Sequence, residues 1–179
     1  MNTSKILIVA ICSNHKDQPG LGAYDVGQSL LGRLSAAAKD TLRSCRREAY
    51  SLLKGAAERD GVLVSEHDYN YALDGGGIDL GGGHLAYDYL PAVQRYTGRF
   101  YGSEGLGHGG DDQLEVVRSS PHHLLIISGL YGLVAGSEYI QRYSLTLGDH
   151  PNIRRIWAGS GTVTELLVDH IRTFGIERV

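Results

Sequence analysis

At 179 residues, 42% of them hydrophobic, the chain has the length of one domain and enough apolar side chains to bury a core. A formal net charge of −3 leaves no global basic field for nucleic acid or an anionic membrane, so any such contact must rest on a local patch. Two cysteines, Cys12 and Cys45, exclude a secreted disulfide scaffold. The apolar run Ile6 to Cys12 is far too short to span a bilayer and has no small-residue cleavage site after it, which makes the cytoplasm the expected location.

In chain order, Ile6 to Cys12 reads as a buried first strand. Pro19, Gly20, Gly22 and Gly27 mark residues 14 to 27 as a loop. Leu30, Leu34, Ala38, Leu42, Cys45, Ala49, Leu52 or Leu53 and Ala56 recur every three or four positions, predicting one long helix with Arg33, Lys39, Arg43, Arg46 and Arg47 mostly on other faces. Gly61 stops it, and Val62-Leu63-Val64 reads as a short second strand. Residues 73 to 84 hold two glycine triplets, a density that regular elements do not tolerate, and read as a loop. A helix over 89 to 97 would present Tyr96 beside a turn at Gly98, and a loop over 102 to 113 precedes Val116-Val117. Leu124 to Ile127 reads as a fully buried strand running into Ser128-Gly129, followed by a short helix near 137 to 142, a turn at Pro151 and an amphipathic helix from Thr162 to Phe174. Gly175 to Val179 reads as a helix stop and the first residues of a strand, one that continues in a longer polypeptide or is very short.

Strands alternating with helices predict a single α/β domain with a largely parallel sheet flanked by helices. Residues 5 to 12 and 124 to 128 are expected to be central, parallel strands. Right-handed crossovers then bring Ser13, Lys16, Ser128 and Tyr131 to one sheet edge, where open α/β sheets bind ligands.

Several runs carry a family resemblance. Ser128-Gly129-Leu130-Tyr131-Gly132-Leu133, followed by Glu138, Ile140 and Tyr143, resembles the signature of the YaaA family of peroxide-stress proteins and related bacterial domains. Ile6 to Lys16 is similar to that family's opening strand and Ser/Lys turn, Tyr96 to Gly102 to its Tyr-x-Gly-x-x-Tyr element, and Trp157 falls at its Phe-Trp pair. Where better-known members carry a basic-Pro-Leu-Asp segment and a later Pro, this chain has Ala135-Gly136-Ser137 and Arg142. The resemblance implies a cytosolic protein that limits oxidative damage, in a family associated with lowering free iron and with DNA binding.

The candidate ligand-binding residues are Ser13, Lys16, Ser128, Tyr131, Glu138 and Tyr143. Lys16 offers a cation for phosphate or carboxylate, and Ser13 and Ser128 offer hydroxyls; Ser128 lacks the Gly-x-Ser-x-Gly setting of a nucleophile. Tyr101, Tyr131, Tyr143 and Trp157 suit either stacking on a nucleobase or core packing. Glu138 suits a ribose or cationic partner, or the first turn of a helix. Gly105 to Gly110 spells Gly-x-Gly-x-x-Gly, yet no strand precedes it and Asp111-Asp112 would repel a pyrophosphate. No histidine pair has the helical spacing of a zinc site, so no metal is expected, and no cofactor or catalytic residue is specified. Arg43, Arg46 and Arg47 form the basic patch on which DNA would lie, with Arg154 and Arg155 a second one. Cys12 is expected to be buried and inert, Cys45 packed on the apolar helix face, and the two unpaired. Two functions follow: a YaaA-like stress protein associated with DNA, or an enzyme or sensor binding a nucleotide, nucleobase or similar polar metabolite.

Overall fold

The apolar run Leu124 to Ile127 becomes the middle strand of a sheet, and the longer run Ile6 to Cys12 its edge. In the computed structural model, which describes residues 4–16, 20, 24–60, 69–102, 111–145, 147–148 and 150–179, strand β1 (Leu7–Ile11) runs parallel to β5 (His123–Ser128), with Leu7 opposite His123 and Ile11 opposite Ile127. Strand β6 (Gly132–Ala135) returns antiparallel to β5, giving the order β1-β5-β6. Two short antiparallel ribbons flank this sheet: β2 (His15–Lys16) with β4 (Tyr96–Thr97), and β3 (Leu90–Pro91) with β7 (Tyr139–Ile140). The expectation of a largely parallel sheet therefore holds for the β1/β5 pair alone. Nor is β1 central: Leu7 and Ala10 are buried, while Ile8, Val9 and Ile11 are exposed along it.

The expected long helix is broken. Helix α1 (Leu30–Arg33) ends at Leu34, whose extended backbone hands over to α2 (Ala36–Asp60). Ser35 holds the break, its N–H and hydroxyl both donating to Asp169 and its Oγ accepting from Ala38 N. Along α2, Leu42, Arg46, Ala49 and Leu53 are the buried stripe, so Arg46 occupies an inward position that periodicity had assigned to a solvent face.

Shorter helices fill the connections: α3 (Tyr69–Ala72), α4 (Ala92–Arg95), α5 (Asp111–Ser119) and α6 (Pro151–Arg154). The segment 89–97 is thus strand, helical turn and strand, because Pro91 lacks an N–H and Tyr96 leaves the helix in extended conformation. Residues 137–142 contain β7 instead of a helix. The chain after Pro151 is helical, widening to a π-helical turn over Arg155–Gly159. Helix α7 (Thr162–Phe174) matches its expected bounds, buries Leu166 and His170, and is closed by Gly175 at φ 60, whose N–H reaches Ile171 O. Beyond it Arg178 forms a parallel bridge with Ile6. The expected strand at Val62–Val64 lies outside the described residues.

Candidate functional site

Four separate chain segments meet at the carboxyl end of the β1/β5 pair. Ser128, the last residue of β5, is buried; its Oγ accepts from Tyr131 N at 3.1 Å and lies 2.6 Å from Tyr143 Oη. Tyr143 Oη is in turn 2.8 Å from Tyr96 Oη, which β4 brings in. The β2/β4 ribbon sets Lys16 opposite Tyr96 in register. That pairing lays the Lys16 ammonium over the Tyr143 ring, 4.3 Å from its centroid, and its Nζ donates to Ser13 O at 2.9 Å. Lys16 is 7% exposed and part of a strand, not a solvated loop lysine. Gly98, at φ 129, stands so close to Ser13 that a Cβ would come within 3.0 Å of its Oγ. Ser13, Lys16, Ser128 and Tyr143 are therefore brought together. Burial pushes the Tyr96 and Tyr143 phenols upward, so both stay protonated near neutral pH. The group is a hydroxyl chain with an ammonium over it, suited to holding a polar group and lacking an activated base.

Glu138 leaves this cluster, whereas Tyr131 stays beside it, its ring edge-on to Tyr143 with centroids 5.4 Å apart, and only its hydroxyl points elsewhere. The Tyr131 main chain touches Ser128, and its hydroxyl donates to Asp79 Oδ2 at 2.5 Å, while accepting from Gln141 N. Asp79 also accepts from Tyr89 Oη and Gln141 Nε2. Burial pushes Asp79 upward, and the bonds from Tyr131, Tyr89 and Gln141 and the charge of Arg46 oppose this. Glu138 is buried outside any helix, which corrects its first-turn reading. It accepts from Ser29 Oγ, Arg46 Nη1 (2.7 Å), Leu30 N and Ala135 N. Both carboxylate oxygens are taken up in joining α1, α2 and β6.

Arg46 is the most consequential correction. It is fully buried, donating to Glu138 and to the carbonyls of Tyr131, Asp79 and Leu133. Burial alone would lower its guanidinium; the charge and hydrogen bond of Glu138 outweigh that and the net shift is upward. It has no access to DNA. Arg43 and Arg47 remain beside a depression of about 330 Å³ shared with Asp40 and Ser44, and Asp40 lies 3.8 Å from Arg43.

Tyr101, Tyr131, Tyr143 and Trp157 are all buried, so none offers an open face to a base. Trp157 instead donates to Gly129 O at 2.9 Å, bracing the β5–β6 hairpin. Cys12 and Cys45 are unpaired and half-buried against the core, less enclosed than expected for Cys12; burial pushes the Cys45 thiol up. No group of three or more His, Cys, Asp or Glu among the described residues is arranged to hold a metal ion. Gly105 to Gly110 lies outside those residues. Sequence reasoning missed Asp79, Tyr89, Tyr96 and Gln141. Asp79 sat in a stretch read as loop, although an acidic residue between glycine clusters and an arginine at a core-facing helix position together signal a buried polar network.

Comparison with protein-family models, with curated proteins and with solved structures finds no match for this chain.

Proposed function

We propose that this protein binds a small polar metabolite carrying an anionic group, a nucleotide being the leading class, at the carboxyl end of the β1/β5 pair. The observation that carries the reading is the convergence of Ser13, Lys16, Ser128 and Tyr143 where a parallel strand pair ends. Lys16 and Ser13 meet the anionic group, and Tyr143, its hydroxyl bonded to Ser128 and Tyr96, holds the Lys16 ammonium over its ring. Since the predicted aromatic rings are buried, recognition rests on the anion more than on stacking. Glu138 and Tyr131 support the site through the core without touching ligand. The test is a thermal-shift screen of nucleoside mono- and diphosphates and sugar phosphates, followed by titration of the hits. Hits should lose about tenfold or more in affinity in Lys16→Ala. Hits bound equally by wild type and Lys16→Ala would remove the site from this edge.

A second reading, a cytosolic DNA-associated stress protein of the YaaA type, is favoured by the Ser128 to Tyr143 resemblance and by Arg43 and Arg47 standing one turn apart on α2. If phosphate contacts carry it, electrophoretic shifts at low salt should weaken in Arg43→Gln and Arg47→Gln and vanish with added salt. Absence of a shift at low salt would count against it.

A further inference from the structure

The opposite end of β5 carries a second polar site. A cavity of about 80 Å³ opens there, lined among others by Arg33, Arg118, His122, His123, Ser137 and His170. From His123 in its lining to Ser128 the strand runs five residue steps, roughly 16 Å. No acidic side chain is among its described lining residues. The carboxylates that act on these groups are hydrogen-bonded elsewhere: Asp169, which acts on His170, accepts from Ser35, and Glu138 and Asp25, which act on Arg33, accept from Arg46 and from Gly27 N.

The hydrogen-bond partners of both arginines are neutral, although Glu138 and Asp25 act on Arg33 through space. Arg33 donates to Gly27 O, Gln28 Oε1 and Ser137 Oγ, and Arg118 to Tyr139 Oη. The histidines add an unfilled position. His170 is buried, its Nε2 lies 3.0 Å from His123 Nδ1, and its Nδ1 has no hydrogen-bond partner. If His123 Nδ1–H donates to His170 Nε2, the second His170 nitrogen carries a proton with nothing to accept it. A buried N–H without an acceptor is destabilising, and an anion would supply the acceptor. The carboxyl end of α5 brings only a fractional negative dipole, and Arg118 in its last turn outweighs that. Two guanidinium groups, an unfilled imidazole and a serine hydroxyl around a cavity of this size match the acceptor-rich, compact anions.

We propose that this cavity binds a small tetrahedral oxyanion of the phosphate class, held by Arg33 and Arg118 with the His123–His170 pair at its back. The ligand is either free phosphate or the terminal phosphate of a larger molecule reaching in from the surface.

The test uses the whole chain at fixed ionic strength. Inorganic phosphate and, separately, phenyl phosphate are titrated to about 20 mM, a range that captures millimolar affinity, with heat and the ring nitrogen resonances of His123 and His170 as readouts. Saturable binding that moves those resonances is expected, and Arg118→Gln, on an exposed helix face, should weaken it at least about fivefold. Lys16→Ala should leave it unchanged, which separates this site from the one at the other end of β5. Binding of both probes assigns the site to a phosphate-bearing molecule, and binding of inorganic phosphate alone to the free anion. Absence of resonance changes, or equal affinity in wild type, Arg33→Gln and Arg118→Gln, would overturn the proposal.

Discussion

Arg46 and Glu138 show how much of this interior is polar by design. Each is fully buried, and each would be left with an uncompensated charge if the other were cut back. Arg46→Met should therefore cost about 3–5 kcal/mol in urea unfolding, and adding Glu138→Gln should recover part of it. A loss under about 1 kcal/mol for Arg46→Met would mean that Glu138 finds other compensation. His170 makes the pH prediction. Burial, reinforced by the charges of His123 and Arg33, holds it down to about 4, against an ordinary value of about 6.5. The unfolded chain then binds the extra proton between those limits, so this contribution is complete above about pH 6.5 and is lost as pH falls toward 4. It amounts to up to about 3 kcal/mol. His170→Gln should flatten the fall in stability between pH 7 and 4.5, and an unchanged slope would assign the acid lability to other groups.

The β5–β6 hairpin is the element on which the candidate site depends, and two glycines separate its contributions. Gly132 sits at φ 69 and a Cβ there would fall 2.2 Å from the Trp157 ring, whereas Gly175 at φ 60 faces open space. Gly175→Ala should cost only the left-handed backbone penalty, about 1 kcal/mol. Gly132→Ala adds a clash with a buried indole and should cost more than about 3 kcal/mol. Equal melting temperatures for the two variants would contradict the described packing. The same hairpin marks where sequence reading stops. β5 and α7 were legible because a contiguous apolar run and a 3.6-residue period are local signals. β6 was not, since Leu133-Val134-Ala135 follows Gly132 too closely to read as a separate strand, and its identity depends on a three-residue turn. The break at Leu34–Ser35 was equally hidden, because it is held by Asp169, far along the chain.

At the scale of the molecule, the convergence of Ser13, Lys16 and Ser128 followed from two strands ending at one edge, whereas Tyr143 was named by the family resemblance and not by the strand ends. The departure of Glu138 and of the Tyr131 hydroxyl did not, because it is set by partners, Arg46 and Asp79, whose spatial proximity no local pattern encodes. The sheet also leaves Ile11 72% exposed on the outer strand, and an open apolar edge promotes self-association. Ile11→Lys should reduce concentration-dependent light scattering with little change in unfolding temperature; a large drop in that temperature would show that Ile11 is packed. No described helix is long and apolar enough to cross a membrane. The central claim is that the carboxyl end of the β1/β5 pair holds an anionic ligand through Lys16. The most direct measurement is calorimetric titration of AMP and ADP into wild type, Lys16→Ala and Tyr143→Phe. Saturable binding in the wild type, weakened about tenfold or more by Lys16→Ala and less by Tyr143→Phe, is the predicted result. Nucleotide binding that is indifferent to Lys16, or absent altogether, would contradict it.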